Sequence, residues 1–164
     1  MWWKKTISNE EVAHVLWQNC CESAEDFCTN FRPKLQAQGF LTNPAENSHF
    51  NLEAMQLYHW ANWLTFGDKA PVLSLLAKMF ANWDRTQQQG RASKTSQQRC
   101  DLYYQAYLQD EKRPHPTKLA EAVLQCLLNT QKPVKSFLLT AEVHLRIYGH
   151  VQGLLKLRAQ FNIR

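Results

Sequence analysis

The stretch LYHWANWLTF, Leu57 to Phe66, holds four aromatic residues and no Asp, Glu, Lys, Arg, Gly or Pro. Extended backwards, it reads as a helix over about 49–66. Phe50, Ala54, Leu57, Ala61 and Leu64 recur in alternating steps of four and three, which lays them along one seam of a helix. On the opposite side Leu52, Met55, His59, Trp63 and Phe66 make a second apolar stripe. A helix apolar on two sides is packed on two sides, so this segment is expected at the centre of a helical bundle. Trp60 falls between the stripes, beside Glu53 and Gln56, where a partner could reach it. Ala-Asn-Trp recurs at 81–83, but no common period links the two copies, so the recurrence reflects shared helix-core composition rather than a repeat architecture.

Working outward, helical periodicity continues on both sides. Ser8 and Glu11 have the spacing of a capping box, and Val12, Leu16, Cys20, Phe27 and Phe31 then share one face, with Arg32-Pro33 as the stop. Gly39 to Asn47 is expected as a loop, with Asn47 or Ser48 capping the helix over 49–66. Gly67 breaks that helix and Asp68 is the expected cap of the next, about 69–88. Thr86 to Arg99 has a single apolar residue, Ala92, so a mobile polar loop is expected at about 86–97. Further helices are predicted over about 97–110, 117–129 and 133–160. The last is apolar around most of its circumference and should be the second central helix, packed on two sides. Gly149 and Gly153 lie four apart on it, suited to close packing or to a bend. The predicted fold is all-α: a single compact domain of about six helices, spanning 1–164.

Composition agrees. The 164 residues suit one domain, and five glycines with six prolines are too few for many short strands. No run approaches the roughly 20 apolar residues of a membrane span. The five cysteines, Cys20, Cys21, Cys28, Cys100 and Cys126, form no Cys-x-x-Cys pair and follow no signal-peptide core, so free thiols in the cytoplasm are expected. Net charge is +5 but uneven: residues 1–53 hold four Lys/Arg against seven Asp/Glu, and the remainder holds fifteen against seven.

No local signature of catalysis is present: no Gly-x-Ser-x-Gly, and no glycine-rich phosphate loop. That leans away from an enzyme. Glu11-x-x-His14 matches half of a carboxylate-bridged di-metal motif, but the second copy is missing and His14 falls on the wet face, so neither a metal nor another cofactor is expected. The leading expectation is a non-enzymatic helical protein that binds a macromolecular partner, another protein first. Tryptophan anchors are favoured in such contacts, which makes Trp2, Trp3, Trp60 and Trp83 the candidates. Trp2 and Trp3 stand beside Lys4 and Lys5, a pattern that also suits peripheral contact with a membrane surface. A second class is a nucleic-acid binder using Arg85, Arg91, Lys94 and Arg99 with Lys156 and Arg158, because phosphate contacts need clustered cations. A third is a small-molecule pocket around His59 and Trp63. For His59 the plain alternative is a core histidine with a hydrogen-bonding neighbour.

Overall fold

The first helix opens on a cap. In the computed structural model, which describes residues 4–164, Ser8 Oγ accepts from the Glu11 amide and the Glu11 carboxylate accepts from the Ser8 amide. Both halves of the capping box are made, and α1 runs from Asn9 to Asn30. Trp2 and Trp3 lie outside the described residues. At Phe31 the chain restarts as a short α2, Arg32–Ala37, with Pro33 in its first turn, where a missing amide costs nothing.

The next helix, α3, spans Pro44–Phe66 and starts earlier than the sequence suggests. Asn43, not Asn47 or Ser48, is the cap, its side chain accepting from the Glu46 amide, and Pro44 occupies the first turn. Asn-Pro therefore opens a helix inside the segment expected as a loop. α4 is Ala70–Trp83 and is shorter than predicted, giving way to a π-helical turn over Asp84–Gln88. Asp68 does not cap it. That carboxylate accepts from Arg158 at 2.6 Å. α5, Ser96–Asp110, and α6, Lys118–Leu127, follow as expected. α7, Phe137–Gln160, is capped by Ser136 through the Leu139 amide, so Pro133 precedes the helix.

Burial sets α3 at the centre. Every side chain from Leu52 to Asn62 is buried, and the helix packs against α1, α4, α5, α6 and α7. Phe27 stacks on Phe31 and on Phe50, tying α1 to the start of α3. α7 lies against α3 and α6, which cover only part of its apolar circumference. Both contacts draw on the arc of Leu139, Val143, Ile147, Val151 and Leu154. The architecture is an all-α bundle of six helices of ten residues or more, with α2 as a minor element. No helix among the described residues is long and apolar enough to cross a membrane.

A strand pair closes the bundle. β1, Lys5–Ile7, pairs in parallel with β2, Phe161–Ile163, in the register Lys5 to Phe161 and Ile7 to Ile163. Three residues are too few to show the two-residue alternation by which strands are recognised in sequence, so this pair was not legible there.

Two aspartates fold the polar connections. Asp84, almost fully buried, accepts from the amides of Ala92 and Ser93 at 2.8 and 2.9 Å and from the Ser93 hydroxyl. Burial pushes its carboxyl up, but the bonds from Ser93 and Ala92 outweigh that and hold it below the usual range. Asp110 repeats the device, accepting from the amides of Lys118 and Leu119 at 2.8 and 2.9 Å. Each aspartate ends one helix and binds amides eight and nine residues ahead, at or near the start of the next. The segment expected as a mobile loop at about 86–97 is thus tied at Asp84. Arg91 adds bonds to Ser48 and Gln88, and Gln56 donates to Thr95.

Candidate interaction surface

The tryptophans of the opening stretch change places with respect to expectation. Trp60 is 2% exposed and packs edge-on against Tyr103 and Tyr107. It cannot anchor a partner. Trp63, expected on the buried stripe, is 43% exposed. The buried stripe runs Leu52, Met55, His59, Asn62 and Phe66, and differs from the predicted one at a single position. Asn62 takes the interior position with neither amide atom paired among the described residues, and Trp63 takes the surface. Hydrophobicity alone ranks these two the other way round. Trp63 borders a shallow cleft of about 430 Å³ with Gly67, Gln97, Asp101 and Tyr104. Trp83 is half-buried against Phe80 and borders a different cleft with Cys21, Cys28 and Arg32.

His59 sits in packed core rather than beside a ligand-sized cavity. Its ring stacks on Phe80, centroids 4.2 Å apart and planes 9° apart. Trp63 Nε1 donates to His59 Nε2 at 3.3 Å, so Nε2 is an acceptor and the proton lies on Nδ1. Nδ1 has no partner among the described residues. Burial pushes the imidazole down to about 4, which keeps it neutral at physiological pH. His59 and Trp63 are joined, but by a hydrogen bond that fills the space a ligand would need.

The cations are dispersed. Arg99 donates to the buried Glu53 carboxylate through Nε and Nη2, at 2.8 to 3.0 Å. Arg158 donates to the Thr65 carbonyl and Asp68 and lies over the Phe66 ring. These two are committed inside the fold and do not serve as free phosphate contacts. Arg85, Arg91, Lys94 and Lys156 are exposed. Arg91 is anchored at Ser48, near the start of α3, while the end of α7 is anchored at Thr65. Those anchors are separated by seventeen residues of helix, about 25 Å at 1.5 Å per residue. The basic segment and the basic end of α7 therefore do not merge into one patch.

The outward face of α7 is the largest departure from a wet surface. Phe137 is 84% exposed, Leu138 75%, Leu145 71% and Leu155 42%. Along the same face lie Ala141, Gly149 and Gln152, with Lys156 as its one cation. A Cβ placed on Gly149 or Gly153 would meet nothing within 4 Å, so these glycines neither receive a helix of the fold nor fit against one. The four large side chains expose on the order of 500 Å², near the top of the 300–600 Å² of the largest patch on an ordinary monomer. Sequence reasoning found α7 apolar around its circumference but assigned all of that surface to the core. The signal it passed over was length: α7 has 24 residues and α6 only ten, so its neighbour cannot cover it end to end.

Comparisons with protein-family models, curated proteins and solved structures give no match. The functional reading therefore rests on the chain's own surface.

Proposed function

We propose that this protein works by holding another protein against the outward face of α7. The observation that supports the reading is the row of exposed apolar side chains at Phe137, Leu138, Leu145 and Leu155. Each large apolar side chain taken out of water contributes about 1.5–3 kcal/mol. Four in a row on a rigid helix supply the central cluster from which protein interfaces draw most of their energy. The helix is a preformed platform, capped at Ser136 and fixed by its buried arc, so binding requires no ordering of the backbone. Of the expected tryptophan anchors Trp60 is buried, and this reading places the contact on the phenylalanine and leucines of α7.

The test is capture by the tagged full chain from an extract of its own cells, compared with a Leu138→Asp, Leu145→Asp variant. Both side chains are solvent-exposed, so the variant keeps the fold. Proteins held by the unaltered chain and lost by the variant support the reading. Identical capture by both rules it out.

A further inference from the structure

We infer that the occupant of this face is a second copy of the chain, its α7 lying antiparallel on the first about a two-fold axis level with His150. The inference rests on the α7 reading above and names its partner.

The face carries a coiled-coil seam. Leu138, Ala141, Leu145, Tyr148, Gln152, Leu155 and Ala159 alternate by three and four, the spacing at which two helices interlock. Read against its own reverse, the seam matches itself. With the axis level with His150, Leu145 meets Leu155 of the second copy, Ala141 meets Ala159, and Tyr148 meets Gln152. Each contact occurs twice, as two-fold symmetry demands. Gly149 then lies one residue from the axis, level with Val151 of the second copy, and the open space around it lets the helices approach within the 8–10 Å of close packing.

Charge selects the direction. Lys156 is the one cation on the face. In the antiparallel pair it points toward Glu142 of the second copy, at the edge of the face, a carboxylate already bridging Lys34 and Arg146. A parallel pair would bring the two Lys156 side chains to the same level, which is repulsive. Area is at the low end. Doubling the exposed surface of the four large residues gives about 1,000 Å², and in this register Phe137 and Leu138 lie past Gln160 of the second copy's α7, so the pair falls below the roughly 1,200 Å² of standard interfaces, in the range of weak ones. A single Gln in the seam sets register at some loss of affinity, so the pair is expected to be a weak one.

Sedimentation equilibrium of the full chain at tens of micromolar tests this. The expected mass is twice 19.2 kDa, and Leu145→Glu is expected to weaken pairing by at least about tenfold. Direction is read by a short bis-maleimide. Gly149→Cys is expected to cross-link two copies more than the unaltered chain, whose native thiols set the background. Leu138→Cys is not, because its two copies lie about 36 Å apart in this register, twenty-four residues at 1.5 Å each. A monomeric unaltered chain overturns the self-pairing and leaves the α7 binding reading to the capture comparison. A dimer indifferent to Leu145→Glu, or one in which Leu138→Cys links as well as Gly149→Cys, also overturns it.

Discussion

At His59 the fold holds an imidazole where only its neutral form fits. The ring is stacked on Phe80, its Nε2 accepts from Trp63, and its Nδ1 proton is unpaired among the described residues. Because burial lowers the folded-state value to about 4 while the unfolded chain titrates near 6.5, the unfolded state binds more protons between those limits. Stability is therefore unaffected above about pH 6.5 and falls as pH drops through that window, by about 2 kcal/mol at pH 5 from this residue alone. His59→Phe keeps the stacked ring and removes the titration. Urea unfolding at about pH 7.5 and about pH 5 should show the acid loss shrinking by about 2 kcal/mol in the variant; an unchanged loss would show that His59 is not a source of it. The sequence made this residue legible as a core histidine among aromatics. It did not separate Asn62 from Trp63, because a helical wheel resolves a face to within one position and both lie at its margin. Which of the two is buried depends on how the neighbouring helices approach α3, and their crossing angles are not written in local spacing.

The elements were legible wherever capping and periodicity agreed. α1 and α5 stand within one or two residues of their predicted starts, the first because Ser8 and Glu11 make the capping box the sequence displays. The connections were less so, because what orders them is a single buried carboxylate acting at a distance. Ala92, the lone apolar residue in a polar run and fully buried, was the clue that Thr86 to Arg99 has an inside. Asp84→Asn tests that account. The amide keeps the shape but gives up the charge and turns one acceptor into a donor facing another donor. A loss of about 1–3 kcal/mol is expected, the range for a buried polar group left unmatched. Hydrogen–deuterium exchange should locate the change at the Ala92 and Ser93 amides. Unaltered protection there would mean that Asp84 does not hold the segment.

At the scale of the whole molecule, an apolar content of 45% with few glycines and prolines already implied long helices around one core. What composition could not imply was surplus. α7 is apolar enough to be packed on every side, yet the rest of the chain is too small to surround it, and the difference emerges as the exposed face. A count of apolar positions per helix does not reveal this. It needs the lengths of the neighbours, and hence the tertiary arrangement. The twin aspartates have an opposite bearing on the surface. At Asp110 the carboxylate fixes both ends of the turn, its own helix terminus and the Lys118 and Leu119 amides, while Glu111 to His115 between them are exposed. The position of α6 is thus independent of what the turn contains. That makes the turn a port for foreign sequence. A Gly-Ser-rich insert between Arg113 and Pro114 lengthens a loop already closed at its base, for which doubling costs only about 0.6 kcal/mol. A peptide epitope or fluorophore site placed there should leave the thermal midpoint within a few degrees of the parent, and it would give a handle remote in sequence from the α7 face.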